Sequence, residues 1–521
     1  MTALVTENLP LLAGAPNGIS KVRELVLDLA VRGKLSEQQA EDGCASDLIV
    51  QIEYARSSLT CGGLLKAQKE LPEVTPKDAR FGIPGNWVWT RLGSITNFGT
   101  TDKRGAIGPD SWILDLEDIE KDTSKLLRKL RFAERQSLSD KNGFATGDVL
   151  YGKLRPYLNK VIVADEPGFC TTEILPFRCH GPWHAGYFKI ALQSPYFLSY
   201  VNGKSYGMKM PRLGTEDGRM AVLPLPPLAE QHRIVAKVDE LMALCDRLEA
   251  QQADAEAAKE KLVEALLASL IQARDAADFR ASWQQLAEHF HTLFTTEDSV
   301  GALKQTVMQL GVDGRLCAGD ARSTWRLQTI NEFCTVQGGI QKTPLRAPVR
   351  HHFPYLRVAN VQRGRIDIAH MERYELAPEE LQRWRLNAGD LLIVEGNGSE
   401  SEIGRCAIWH GEVEDCVYQN HLMRVRPTGD DAVEYLALYL NSPVGAAHMR
   451  RLAITTSGLF NLSVGKIRSI PVELPPPSEQ HRIVAKVGEL LGLCDQLKQN
   501  LATARQSHEH LASVLVEQAV A

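Results

Sequence analysis

The residues best suited to catalysis do not form a complete catalytic signature. Residues 203–205 read Gly-Lys-Ser, the end of a phosphate-binding loop, but Leu198 stands where that loop requires a glycine. His351 and His352 are adjacent on a predicted loop, without further ligands at the spacing of a metal site. The sequence also lacks a glycine-rich dinucleotide loop, an amino-methyltransferase motif and the carboxylate cluster of a metal nuclease. We therefore predict a chain without a catalytic or metal site.

Two runs combine cations with aromatic residues, a combination that suits contact with nucleic acid. Residues 152–160 read Gly-Lys-Leu-Arg-Pro-Tyr-Leu-Asn-Lys, and residues 204–212 read Lys-Ser-Tyr-Gly-Met-Lys-Met-Pro-Arg. A mild excess of cations over residues 81–224 suits a surface that faces phosphates. The alternative is that these are ordinary solvated loop charges. The predicted DNA-binding residues of this block are Lys103, Arg104, Lys153, Arg155, Tyr157, Lys160, Lys209 and Arg212.

A later block is rich in glycine and in side chains that can pair with base edges. Its loop-like runs are residues 337–343, 357–363, 395–401 and 455–461. Glycine lets the backbone approach a ligand closely, and Asn, Gln and Arg form paired hydrogen bonds with adenine or guanine in the major groove. The alternative is that these runs are ordinary turns. The predicted DNA-binding residues here are Gln341, Lys342, Arg357, Asn360, Gln362, Asn397, Ser399, Ser457 and Asn461.

A duplicated scaffold must position these two blocks. Residues 230–238 recur unchanged as residues 479–487, and a proline-rich run precedes each copy. Proline stops the preceding element, and apolar residues then follow at steps of four and three, which predicts a long coiled-coil helix after each proline run. Residues 230–273 would form a helix about 65 Å long at ~1.5 Å per residue. The first turns of the two helices are predicted docking surfaces for partner proteins, or alternatively solvated turns. Their residues are Glu230, Gln231, His232, Arg233, Glu479, Gln480, His481 and Arg482.

A second, weaker repeat suggests how the scaffold closes. Residues 26–35 resemble residues 307–316, and each run forms the end of a helix that stops at a glycine. One copy of this helix is N-terminal, whereas one long helix is C-terminal, so the duplication is complete only if the chain ends meet. We predict an α+β fold in which two α/β domains are separated by a long antiparallel two-helix coiled-coil spine, in a circular, pseudo-twofold arrangement. The predicted regions are 1–80, N-terminal helical region and linker; 81–224, first domain; 225–318, central helical region; 319–473, second domain; and 474–521, C-terminal helix.

The overall composition fits a multidomain protein of the cytoplasm. The chain has 521 residues and a formal net charge of −5, which says little about its partners. Its ten cysteines show no paired spacing, which is typical of a reduced compartment. No apolar run is long enough to cross a membrane, and residues 1–18 lack the basic start of a secretory signal. We predict a cytoplasmic protein with no membrane contact.

Taken together, these motifs resemble the specificity subunit of type I restriction–modification systems. The proline-led repeats resemble the helical regions of that family. Residues 147–163, 208–212, 355–363, 389–405 and 455–470 resemble its target-recognition domains. The resemblance implies a non-catalytic subunit that binds double-stranded DNA at a split, asymmetric site. It also implies two methyltransferase (modification) subunits and restriction/translocase subunits as partners. No cofactor is implied in this chain, and S-adenosylmethionine, ATP and Mg are expected on those partners. The alternative function is a coiled-coil scaffold or adaptor that binds proteins without nucleic acid.

Overall fold

The computed structural model describes residues 9–63, 70–100, 107–135, 141–207, 209–317, 322–396, 402–429, 433–453 and 461–520. It divides into two compact units: unit 1 comprises Met1–Asp254 and Arg505–Ala521, and unit 2 comprises Ala255–Ala504. Two long helices, Leu228–Gln272 and Pro477–Val520, contribute residues to both units. The predicted mixture of α and β structure with long helices is confirmed.

Unit 1 carries a mixed α/β domain between short N-terminal helices and the first long helix. Its helices are Leu9–Gly14, Gly18–Val31, Ala45–Cys61, Leu92–Ile95, Phe132–Arg135, Ala185–Gln193, Pro195–Lys204 and Thr215–Met220. Its strands are β1 (Val88–Arg91), β2 (Trp112–Leu114), β3 (Leu130–Arg131), β4 (Lys141–Phe144), β5 (Val149–Gly152), β6 (Val161–Val163), β7 (Gly168–Thr171), β8 (Ile174–Phe177) and β9 (Val222–Leu225). They form sheets in the orders β3-β2-β7-β4 and β6-β5-β8, and β1 pairs with β9. Because β1 and β9 are antiparallel, the domain leaves and rejoins the helical part at one place.

The core of unit 1 combines segments from both ends of the chain. Buried residues of the helix Gly18–Val31 share one apolar cluster with the start of the first long helix and with Ala512 and Ala519. Lys21 Nζ donates hydrogen bonds to Ser513 Oγ at 2.7 Å and to the Glu509 carbonyl at 3.2 Å. The N-terminal helix therefore contacts the last turns of the C-terminal helix.

Unit 2 is built on a similar plan. Its helices besides the long ones are Ala276–Glu288, Phe290–Leu293, Glu297–Val312, Ile330–Phe333, Pro378–Trp384, Val433–Asn441, Pro443–Ala453 and Val464–Arg468. Its strands are β10 (Arg326–Thr329), β11 (Cys334–Gly338), β12 (His352–Leu356), β13 (Val361–Gln362), β14 (Arg365–Ile366), β15 (Glu372–Glu375), β16 (Asp390–Val394), β17 (Cys406–Trp409), β18 (Val417–Tyr418), β19 (Leu422–Pro427) and β20 (Pro471–Leu474). The sheet orders are β11-β19-β16-β17 and β15-β12-β18, with the pairs β13-β14 and β10-β20.

Matched contacts occur inside the two α/β domains, although their sequences differ. Asp148 and Asp390 each follow a glycine with positive φ and open a central strand, β5 or β16. Asp148 accepts a hydrogen bond from Arg178 Nη2 at 2.5 Å, and Asp390 accepts one from Arg426 Nε at 2.6 Å. Each pair joins neighbouring strands, β5 to β8 and β16 to β19. The two domains therefore share an internal scaffold.

The helical parts of the units also match. In unit 1, Arg23 on the helix Gly18–Val31 pairs with Asp246 on the first long helix at 2.7 Å. In unit 2, Lys304 on the helix Glu297–Val312 pairs with Asp495 on the second long helix. Asp246 and Asp495 occupy equivalent positions of the two repeats. Each glycine-ended helix is thus attached to one long helix by an ion pair.

The apolar seam predicted along the long helices is buried only in part. Ile234, Val238, Ile483 and Val487 are all buried. By contrast, Leu262 in unit 2 and Leu511 in unit 1, which lie four heptads after Ile234 and Ile483, are 47% and 49% exposed. The predicted heptad seam is therefore buried at the start of each long helix and exposed at these two later positions.

Among the residues that the structure describes, every helix is too short or too polar to cross a lipid bilayer. The same ranges contain no group of three His, Cys, Asp or Glu residues placed to bind a metal ion. All ten cysteines are free thiols.

Candidate nucleic-acid interface

The fold of unit 1 brings its two cationic runs together. Leu154 and Arg212 form a β-bridge, and the Arg155 N–H donates to the Pro211 carbonyl at 2.7 Å. Residues 152–160 and 204–212 therefore form one surface, which we call the cationic surface. Among the described residues, its exposed side chains are Arg155, Tyr157, Lys204, Tyr206, Lys209 and Met210.

A tight turn presents the first half of this surface. Pro156–Leu158 is a single 3-10 turn between Arg155 (φ 49°) and Asn159 (φ 51°), both in the left-handed region. A left-handed residue other than glycine costs roughly 1–3 kcal/mol and is typical of functional sites. Asn159 Nδ2 donates to the Gln193 carbonyl at 3.0 Å, which ties the turn to the helix behind it. The turn fixes the backbone at Arg155 and at Tyr157, which is 45% exposed.

Several predicted DNA-binding residues of unit 1 are engaged or lie elsewhere. Lys160 Nζ donates to the Leu116 carbonyl at 2.7 Å, and burial lowers its pKa. Because its ammonium is half-buried and already donates to a carbonyl, Lys160 is a weaker candidate for DNA contact than the exposed cations of the cationic surface. Arg212 is paired with Glu173 at 3.2 Å, and Lys153 is half-buried beside it in the bridge region. Lys103 and Arg104 lie outside the described residues.

In unit 2, part of the predicted set forms a charge network. Glu372 accepts hydrogen bonds from Lys342 Nζ at 2.7 Å and Arg357 Nη1 at 2.9 Å. The Lys342 hydrogen bond, followed by the charge of Arg357, lowers the pKa of Glu372. Gln341 and Lys342 are exposed, whereas Arg357 is half-buried. Lys342 is therefore a better candidate for DNA contact than Arg357.

Asn360 makes hydrogen bonds within a turn. Its side chain is buried, donates from Nδ2 to the carbonyls of Asp367 (2.8 Å) and His370 (3.2 Å), and accepts from the Arg357 N–H at 2.9 Å. These bonds occupy the amide groups that an adenine would need. Gln362 is similarly engaged through Nε2 with the Ala359 carbonyl at 2.8 Å. Asn360 and Gln362 are therefore weaker candidates for base contact than the exposed Gln341.

Of the remaining predicted residues, Asn461 is exposed. Asn397, Ser399 and Ser457 lie outside the described residues.

Sequence reasoning missed the exposed apolar residues of unit 2. Leu345 is 94% exposed and Val349 is 76% exposed, on a segment that also carries Arg346 and Arg350. The available signal was the run Thr-Pro-Leu-Arg-Ala-Pro-Val-Arg at 343–350, in which cations alternate with apolar residues between prolines.

Four of the eight predicted docking residues are buried at the starts of the long helices. Glu230 is fully buried and accepts hydrogen bonds from Trp87 Nε1 at 2.7 Å, Ser36 Oγ at 2.9 Å and Gln38 Nε2 at 2.6 Å. Its counterpart Glu479 is 3% exposed and accepts from Trp325 Nε1 at 3.2 Å. These two carboxylates therefore cannot form a docking surface.

The two tryptophans pack against matched glycines. Gly33 (φ 68°) lies against Trp87, and Gly314 (φ 70°) lies against Trp325. Both glycines end helices in the left-handed conformation, which disfavours any side chain. Each unit thus joins a helix end, a tryptophan and a buried glutamate.

The glutamines that follow these glutamates are also buried. Gln231 Nε2 donates to the Pro226 carbonyl at 3.0 Å, and Gln480 Nε2 donates to the Pro475 carbonyl at 2.9 Å. Both amides bind the proline turn that precedes the helix, which corrects their assignment to docking. His232, His481 and Arg482 are exposed, and Arg233 is half-buried.

Arg233 is paired with Asp42, and this pair predicts a pH effect. Arg233 Nη1 and Nη2 contact Asp42 Oδ1 and Oδ2 at 2.7 and 2.5 Å, and this hydrogen bonding lowers the pKa of Asp42. A carboxyl whose pKa is lowered by folding stabilises the fold above its ordinary pKa, near 4, and loses that contribution as the pH falls through the lowered value. We expect Arg233→Gln to lower the free energy of unfolding at neutral pH, with a difference that shrinks below about pH 4. Denaturant titrations at several pH values measure this. The matched control Arg482→Gln, at the exposed equivalent position, should show a smaller difference; equal effects would contradict the prediction.

Comparisons with known proteins show which families this chain resembles. Residues 322–503 match the family model of the type I restriction modification DNA specificity domain. The specificity subunit of the type I restriction enzyme EcoEI from Escherichia coli is 28% identical, over 96% of this chain and 94% of its own. That of EcoAI, also from Escherichia coli, is 27% identical over the same shares.

A solved structure shares the fold. It comes from a study of complex assembly and conformational transition of the type I R-M system, and it covers 84% of this chain and 99% of its own. The TM-score is 0.56 and the sequence identity is 18%. The resemblance predicted from the sequence motifs is confirmed. Residues 322–503 therefore match the type I restriction modification DNA specificity domain, and the chain is similar along nearly its whole length to the specificity subunits of type I restriction enzymes.

Proposed function

We propose that this chain is the DNA-binding specificity subunit of a type I restriction–modification complex and reads a split, asymmetric site in double-stranded DNA. The observation that carries the proposal is a shared scaffold with different exposed surfaces. Matched Asp–Arg pairs hold β5 to β8 and β16 to β19. The exposed residues nevertheless differ, with Arg155 and Tyr157 in one domain and Leu345 and Arg350 in the other.

Two related domains with different surfaces favour two different half-sites. Phosphate contacts position a protein on DNA, whereas base-edge contacts supply specificity. If each domain contacts one groove segment, the bases between those segments are not read. The target then consists of two unlike parts separated by a spacer.

The partners belong to the same proposal. The relatives are named as specificity subunits, which agrees with a non-catalytic chain that directs other subunits. We propose two methyltransferase subunits, which bind S-adenosylmethionine, and restriction/translocase subunits, which use ATP and Mg. The glutamates and glutamines at the starts of the long helices are buried, whereas His232, His481 and Arg482 are exposed. We therefore propose these three exposed residues as the docking residues of the helix starts.

The two long helices are the proposed antiparallel spine between the domains. Support comes from unit 1, where Lys21 near the N-terminus bonds to Ser513 near the C-terminus. If the spine sets the distance between half-sites, adding one heptad to both helices lengthens it by ~10 Å. That corresponds to about three base pairs at ~3.4 Å each.

We therefore expect the spacer of the methylated site to grow by about three base pairs in the double-insertion variant. Mapping of methylated adenines measures the spacer directly. A control variant should replace seven exposed residues in each helix without changing its length, and its spacer should stay the same. An unchanged spacer in an active insertion variant would contradict the proposal that the spine sets the distance between the half-sites.

A gel shift separates the proposal from the adaptor alternative. The full chain, co-expressed with its methyltransferase subunits, should shift a duplex that contains the methylated site more strongly than a scrambled duplex. An adaptor would bind its protein partners and shift neither duplex. The named relatives do not favour the adaptor.

A further inference from the structure

Hydrogen bonds attach the exposed apolar segment of unit 2 to the neighbouring sheet. We call residues 341–351 the arm. Glu375 on β15 accepts hydrogen bonds from three successive N–H groups of the arm: Val349 at 2.8 Å, Arg350 at 3.0 Å and His351 at 2.7 Å. These bonds, that of His351 first, lower the pKa of Glu375 and keep its carboxylate charged. One end of the arm is therefore fixed to the sheet.

The rest of the arm is fixed by two further contacts. Tyr374 accepts the Thr343 N–H at 2.8 Å and donates to the Gln341 carbonyl, and its ring stacks on Tyr355 at 4.5 Å between centroids. Arg346 forms a bidentate pair with Glu380 at 3.1 and 3.0 Å. The backbone of the arm is therefore already ordered, so a ligand that binds there avoids most of the entropic cost of ordering it.

The exposed side chains of the arm include apolar residues that alternate with cations. Leu345 and Val349 are 94% and 76% exposed. Residues 341–351 contain three cations, of which Lys342 and Arg346 are paired with Glu372 and Glu380. Arg350 is exposed, as is Arg373 on the adjacent strand β15. Two exposed apolar side chains on a fixed backbone, with Arg350 and Arg373 nearby, match a duplex surface, where thymine methyl groups line the major groove beside phosphates.

We propose that Leu345 and Val349 contact thymine methyl groups in one half-site, while Arg350 and Arg373 lie at flanking phosphates. This inference rests on the proposed function and names the chemical group that this domain recognises. It makes these residues determinants of specificity, in addition to contributors to affinity.

The test removes thymine methyl groups one at a time. Once methylation mapping has given the site, deoxyuridine replaces each thymine of both half-sites in turn, and binding by the full chain in complex with its methyltransferase subunits is measured. At one or two positions of one half-site, we expect binding by the wild-type complex to weaken about fourfold, the value for one buried methyl group. The double variant L345A/V349A should bind the unmodified site more weakly and lose that sensitivity at the same positions.

A matched control tests whether the effect is local. Leu327 is 71% exposed on β10, outside the arm, so L327A should retain the sensitivity to deoxyuridine. The inference is overturned if no thymine methyl group matters, if the double variant keeps the sensitivity, or if neither half-site contains an A·T pair. It is also overturned if the double variant loses its methyltransferase subunits while retaining discrimination. Failure of the wild-type complex to prefer any site would instead refute the proposed function.

Discussion

Replacing Glu230 by alanine is expected to lower the free energy of unfolding by about 3 kcal/mol, since one buried and two partly buried donors lose their acceptor. The buried donor is Trp87 Nε1, at 2.7 Å from the carboxylate, and the others are Ser36 Oγ and Gln38 Nε2. Each buried donor left unpaired costs about 1–3 kcal/mol, whereas partly buried donors recover water. Denaturant unfolding of the full chain, followed by tryptophan fluorescence, measures the change.

The second repeat supplies the matched comparison. Glu479 stands at the equivalent position but accepts a longer bond, 3.2 Å from Trp325 Nε1, which is only partly buried. Glu479→Ala should therefore cost about 1 kcal/mol. His232→Ala, next to Glu230 but exposed, should cost less than about 0.5 kcal/mol. Equal losses for the first two variants would mean that the hydrogen bonds of Glu230 do not explain its burial.

Neutralising the cationic surface of unit 1 should greatly weaken DNA binding. The triple variant R155Q/K204Q/K209Q removes three exposed cations that the fold places on one surface. Each phosphate contact contributes about −0.9 to the slope of log K against log salt, so three lost contacts reduce the slope by about 2.7. At low salt the affinity should fall by about 100-fold or more. Binding isotherms over a range of salt concentrations measure both effects.

A control variant is needed to separate the loss of the cationic surface from the change in net charge. Lys237 is on the first long helix, where it pairs with Glu240 at 2.8 Å, so Lys237→Gln changes the net charge without touching the cationic surface. We expect this variant to keep the wild-type salt slope. If the triple variant also keeps that slope, the surface does not face phosphates and DNA binds elsewhere.

Much of the scaffold could be predicted because its signals are local. The proline runs before residues 230 and 479 mark where the long helices begin, and Gly33 and Gly314 end helices with positive φ as expected. These features depend on neighbouring residues, so a single sequence contains them.

The roles of individual site residues depend on distant partners, and the sequence does not show those. Glu230 was expected at the surface, as charged residues usually are, but its main donor, Trp87, is 143 positions away. The amide side chain of Asn360 is of a type that can pair with adenine, but in the structure it donates hydrogen bonds to carbonyls of its own turn. Conversely, the bridge between Leu154 and Arg212 joins two runs that the sequence places far apart.

Mapping of methylated adenines in a host that carries this gene with its methyltransferase subunits tests the central claim most directly. We predict a new methylated motif that consists of two unlike half-sites around a fixed spacer of unspecified bases. Exchange of residues 88–225 with those of a relative should alter one half-site and leave the other intact. Absence of a new motif, or a single undivided motif, would contradict the account.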